Sequence, residues 1–101
     1  MSLIGWNYGI SAKREEDGII TEVFIHPIFQ DGHVGEGYIW SKEDVISHID
    51  DRNKVTTILP TGDGGWRKGA EVHVVDTGSG RYIRTDKNET PRDNLGELPE
   101  F

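Results

Sequence analysis

The sequence predicts a single α+β domain: a small twisted antiparallel sheet of about five strands in two hairpins, with one three-turn helix packed on a face. Three observations carry that expectation. Alternating apolar and polar runs flank an Asp17-Gly18 turn, a second pair of β-rich runs flanks Gly78-Ser79, and between them residues 41–52 carry a capped helical pattern.

The first hairpin spans 3–28. Ile4, Trp6, Tyr8, Ile10 and Ala12 alternate with Gly5, Asn7, Gly9 and Ser11, and a second run begins at Ile19. Asp-Gly between such runs suits a two-residue turn, because both turn positions need positive φ. That turn sets Ile10 opposite Ile25, Ala12 opposite Val23 and Lys13 opposite Glu22, so apolar meets apolar and charge meets opposite charge. Residues 29–37 hold three glycines without periodicity and read as a surface loop.

The helix follows over 41–52. Ser41 is its N-cap, Glu43 and Asp44 lie where the helix dipole favours acids, and Trp40 is placed to staple onto Val45. Val45, Ile46 and Ile49 form the buried stripe. Strand 55–59 is closed by Pro60, and a glycine-rich loop occupies 61–69. Strands 70–76 and 81–86 then pair Asp76 with Arg81, Val75 with Tyr82, Val74 with Ile83 and His73 with Arg84. The tail, 87–101, offers Leu95, Leu98 and Phe101 as docking side chains.

Composition narrows the function classes. The chain has 101 residues, 34% apolar and 29% charged, which suits one domain with one core. A net charge of −7 disfavours general attraction to nucleic acid or to an anionic membrane surface. With no cysteine, disulfides, thiolate zinc sites and cysteine nucleophiles are excluded. No apolar run approaches the roughly 20 residues that span a bilayer, and nothing resembles a signal peptide, so a cytoplasmic location is expected.

A resemblance rests on three segments. They are Trp40-Ser41-Lys42-Glu43-Asp44-Val45-Ile46, then Tyr82-Ile83-Arg84-Thr85, then Asp93-Asn94-Leu95-Gly96-Glu97-Leu98-Pro99. In their order and spacing these resemble the small, mostly bacterial family catalogued as domain of unknown function 3892, over roughly 19–101. The resemblance implies a fold and no activity, cofactor or catalytic residue. The strand over 4–12, the loop over 29–37 and the Gly62–Gly69 segment are less typical of it.

Candidate chemistry is sparse. Gly62 to Gly69 invites a phosphate-cradle reading, but a P-loop needs Gly-Lys-[Ser/Thr] opening a helix and this segment leads into a strand. His26, His33, His48 and His73 show no metal-ligand spacing, so no metal or cofactor is expected. Ser47 and His48 are helix neighbours about 100° apart and cannot share a proton. An enzyme using His26 or His73 as general base lacks a nucleophile placed by spacing.

Two surfaces remain. Trp66, Arg67 and Lys68 combine residue types enriched at binding hot spots, with Trp66 folding inward as the competing account. On the regular hairpin register Ile20, Phe24 and Ile28 share the face opposite Ile10 and Ile25, and either the chain itself or a second copy must cover them. The expected function is a non-enzymatic protein-interaction module, self-association included, meeting its partner through one of these. The alternative is a small anionic ligand or single-stranded nucleic acid held by His73, Tyr82, Arg84 and the glycine-rich loop, against an Arg84 salt bridge as the plainer account.

Overall fold

Asp17 and Gly18 take φ of 52° and 78°, the paired left-handed residues of a type I′ turn, and close β1 (Tyr8–Glu16) onto β2 (Ile19–Pro27). The computed structural model describes residues 3–78, 80–85, 93–96 and 98–101. The expected Ile10–Ile25 pair forms and the register beside the turn holds, but Ala12 to Arg14 pair one residue out of it. Arg14 faces Glu22 and Glu15 faces Ile20, leaving Thr21 as an extra residue in β2; Ile10 faces Ile25 and Ala12 faces Phe24, leaving Ser11 extra in β1. These compensating bulges replace the expected Ala12–Val23 and Lys13–Glu22 pairs. Arg14 now makes the cross-strand ion pair with Glu22, at 2.7 Å, and Lys13 turns to Glu15.

The Thr21 bulge also decides what covers Ile20. A bulge reverses the alternation beyond it, so Ile20 joins Ile10, Val23, Ile25, Val45 and Ile83 in the helix-side core instead of lying beside Phe24. Ile28 is buried in a second cluster with Leu3 and Ile58, which Trp6, Val34 and Trp66 pack against, and Phe24 is half-buried. The chain thus buries Ile20 and Ile28 itself and leaves Phe24 half-buried.

Beyond the loop at 29–37 the chain adds β3 (Tyr38–Ser41), an antiparallel edge strand on β2 that the sequence reading missed. Four residues are too few to display alternation, and Ser41 ends the strand while capping the helix. In α1 (Lys42–Asp50), the Ser41 hydroxyl accepts from the Asp44 amide at 3.2 Å and the Asp44 carboxylate accepts from the Ser41 amide at 3.4 Å, a capping box. At the other end Arg52, with φ of 69°, sits where glycine is usual, and the Arg52 and Asn53 amides close onto Ile49 and His48 carbonyls. Trp40 packs on the core that contains Val45 and stacks on His48, 4.2 Å between rings.

β4 (Val55–Pro60) returns beside β1 in parallel, so the sheet is mixed where an all-antiparallel one was expected. Tyr8, Gly9 and Ile10 face Val55, Thr56 and Thr57. β5 (Trp66–Glu71) forms a hairpin with β4, so the glycine-rich loop shrinks to 61–65. The strand expected over 70–76 is broken at Val72, whose amide bonds Val55; β6 (His73–Thr77) and β7 (Gly80–Arg84) then form a separate two-stranded sheet in the expected register. The main sheet has order β3-β2-β1-β4-β5, and the described residues form seven strands where about five were expected. Of the expected strand 81–86 and tail 87–101, residues 86–92 and Glu97 lie outside the described residues.

Asp93 joins these pieces. Its side chain has no exposure, and its carboxylate accepts from the Ile20 amide at 2.9 Å, the Ile83 amide at 2.9 Å and the Lys42 ammonium at 3.0 Å. One group therefore ties β2, β7 and the first residue of α1. Beyond it Leu95 and Leu98 enter the core, and the Lys13 amide bonds the Pro99 carbonyl. Removing a buried charge's partner costs about 3–5 kcal/mol in the worst cases. Asp93→Asn should lower the unfolding free energy by about 2–4 kcal/mol in a denaturant titration. Lys42→Met should cost at least as much, because it leaves the buried Asp93 carboxylate without its counter-charge.

Candidate functional site

The glycine-rich loop has its own occupant. The Thr61 hydroxyl and the Gly65 amide both donate to the Asp63 carboxylate, and the Thr61 amide bonds the Gly65 carbonyl. The Thr61 bond leads in holding the Asp63 carboxyl below its usual range. An amide that a phosphate would use is thus turned onto an anion that repels phosphate.

Trp66, Arg67 and Lys68 diverge along β5. Trp66 packs on the Leu3/Ile28/Ile58 cluster with its ring 5.2 Å from His26, Lys68 lies over the Trp6 ring at 4.8 Å, and Arg67 is exposed. Lys54 lies over the same Trp6 ring at 5.2 Å. Trp66 thus folds inward, the competing account.

The partner of His26 is not legible in the sequence. Ser11, set out of register by its bulge, places Oγ 2.9 Å from His26 Nε2, while His26 Nδ1 lies 3.0 Å from the Gly35 carbonyl. A carbonyl only accepts, so Nδ1 carries the proton and Nε2 accepts from the Ser11 hydroxyl. A Ser–His bond with an oriented imidazole is half of an acyl-transfer pair. Both residues, however, are more than nine-tenths buried, with Phe24 and Trp66 rings against the imidazole. A Cβ at Gly37 would overlap Phe24 and His26, so only glycine lets the chain pass there. This pair satisfies polar groups under the sheet face.

His73, Tyr82 and Arg84 do not assemble with the glycine-rich loop. Arg84 is buried, at 5% exposure, which removes it from any open ligand surface. His73 is half-buried, 3.9 Å from Glu71. Tyr82 instead lines a cleft of about 570 Å³ between α1 and β7, with Lys42, Ile46, Asp50 and Arg81. Its cations are already engaged: Lys42 by Asp93, and Arg81 by Asp50 through two bonds of 2.8 Å. The hydrogen bond from Arg81 holds the Asp50 carboxyl below its usual range. Glu43 adds another acid, so this cleft does not favour an anion.

A different surface stands out at the sheet edge. Tyr8, Ile25, Pro27, Tyr38 and Trp40 line an aromatic slot of about 360 Å³, and β3 forms its outer wall. Tyr38 and Ile39 are more than half exposed, on opposite faces of the strand. The two edges of the main sheet differ. β5 carries Arg67, Lys68, Gly69 and Glu71 and has a register irregularity against β4, the usual devices that blunt an edge. β3 reads Tyr-Ile-Trp-Ser, with no charge, proline or bulge. Sequence reasoning missed it because the strand itself was not recognised.

Among the described residues no helix is long and apolar enough to cross a membrane. The model of a family described as "Protein of unknown function (DUF3892)" matches residues 9–99. Neither a curated protein nor a solved structure matches the chain.

Trp66→Ala should lower the unfolding free energy by about 1–3 kcal/mol, since the ring covers both the Ile28/Ile58 cluster and His26. Arg67→Ala, at an exposed neighbour, should change it by less than about 0.5 kcal/mol. Equal effects in a denaturant titration would remove Trp66 from the core.

Proposed function

The chain belongs to the DUF3892 family, and for it we propose a non-enzymatic protein-interaction module whose contact element is the outer edge of β3. One observation supports this reading above the others: the contrast between a blunted β5 edge and an uncharged β3 edge that no described strand pairs with, where Tyr38 and Ile39 are exposed. An unpaired strand presents a row of amides and carbonyls, and a partner's extended segment pairs with them as an added strand. Backbone bonds supply affinity in that mode, and side-chain pockets supply selectivity. The aromatic slot beside Tyr38 and Trp40 is the nearest such pocket.

Trp66 and Arg67 belong to the competing contact element, on the opposite edge. Capture from cell extract separates the two. Ile39→Lys should abolish specific capture and leave the thermal midpoint nearly unchanged, because Ile39 is exposed and an edge lysine opposes strand addition. Arg67→Ala should leave capture intact. Loss with Arg67→Ala and not with Ile39→Lys would move the contact to β5 and overturn this reading.

A further inference from the structure

We propose that the aromatic slot beside β3 binds the quaternary ammonium group of a small molecule. This site goes beyond strand addition, since it needs the slot and not the backbone of the edge. Tyr8 and Trp40 lie with ring centroids 4.9 Å apart and planes inclined at 56°, which makes an open corner. Tyr38, two residues before Trp40 on the same face of β3, stands as a third wall, and Ile25 and Pro27 complete the lining. His48 stacks on Trp40 at 4.2 Å and meets Tyr8 edge-on at 5.5 Å, so the corner is braced before any ligand arrives.

Charge decides the occupant. The face of an aromatic ring is negative and attracts a cation within about 6 Å of its centre. Elsewhere the chain supplies that cation itself: Arg14 lies over Phe101, Lys42 over Tyr82, and Lys54 with Lys68 over Trp6, at 4.5–5.4 Å. Among the described residues no such cation lies over Tyr8, Tyr38 or Trp40. Lys54 is near, as its carbonyl accepts from the Tyr8 amide, yet its ammonium goes to Trp6. Carboxylates flank the slot instead. Glu36 follows Gly35, whose amide bonds the Pro27 carbonyl at 2.8 Å, and the Asp44 carboxylate lies 3.4 Å from the amide of Ser41, next to Trp40. Neither acid forms an ion pair among the described residues, and the whole chain carries −7, so the field at the slot draws cations.

The lining also selects the kind of cation. Its side chains offer two phenol hydroxyls and no carboxylate, amide or imidazole. A primary ammonium or a guanidinium brings three to five N–H donors that would lose water there without replacement. A quaternary ammonium has no N–H to satisfy and presents only alkyl groups to the rings. At about 360 Å³ the slot is at the small end of ligand pockets, with room for such a head group and a short chain.

Choline is the probe, with 3,3-dimethyl-1-butanol as its uncharged isostere, each titrated into the full chain while the Trp40 indole N–H resonance is followed. Choline should bind at least about fivefold more tightly than the isostere. Tyr38→Leu keeps the slot apolar but removes one ring; because Tyr38 is more than half exposed, the variant should melt like the parent chain while losing most of that preference. Equal affinity for choline and its isostere, no movement of the Trp40 resonance with choline, or a preference unchanged in Tyr38→Leu would overturn the site. An N-acetyl trimethyl-lysine amide should bind no more tightly than choline. Binding tighter by about tenfold would assign the head group to a partner's modified lysine and overturn the small-molecule source.

Discussion

The buried carboxylate of Asp93 is the interaction on which the other parts depend. It has no solvent exposure and holds the Ile20 amide, the Ile83 amide and the Lys42 ammonium together. Without it the second sheet would touch the first mainly through side-chain packing, because among the described residues β6 and β7 pair with no strand of the main sheet. A buried ion pair is not strongly stabilising against an apolar replacement, but it is directional. Its geometry allows one arrangement of β2, β7 and α1, and the apolar side chains of Ile20, Val45, Ile83 and Leu95 then fill the space so defined.

The clamp also reaches the edge strand. Lys42 is the first residue of α1 and follows Ser41, which ends β3 and caps the helix. Fixing Lys42 therefore fixes where β3 stops and how it leaves the sheet. Trp40, stacked on His48 and packed on the core, anchors one face of β3, while Tyr38 and Ile39 stay exposed. A short edge held rigidly presents its amides and carbonyls at little further entropic cost, which favours strand addition.

What was legible in the sequence was local. The Asp17-Gly18 turn, the Ser41 cap with its acidic first turn, and the register of β6 with β7 are set by neighbouring residues, and they appear as read. The bulges at Ser11 and Thr21 are not local: each satisfies the tertiary setting, the first by carrying Ser11 to His26 and the second by turning Ile20 to the helix-side core. The parallel β1–β4 pairing and the break at Val72 are decisions of the whole chain, since Ala70 to Asp76 reads as one continuous strand. In the sequence Asp93 is legible only as the first residue of a segment that carries the family resemblance. Only the positions of Ile20, Ile83 and Lys42 around it give it a role.

Native-state hydrogen exchange at the Ile20 and Ile83 amides tests this account most directly. Both donate to Asp93 from different sheets, so a clamp that unites the fold requires them to exchange through the same global opening, at the full unfolding free energy. Equal and maximal protection at the two amides is the predicted result. Early exchange at Ile83 with Ile20 still protected would show the β6–β7 hairpin to be a separately opening appendage, and would contradict it.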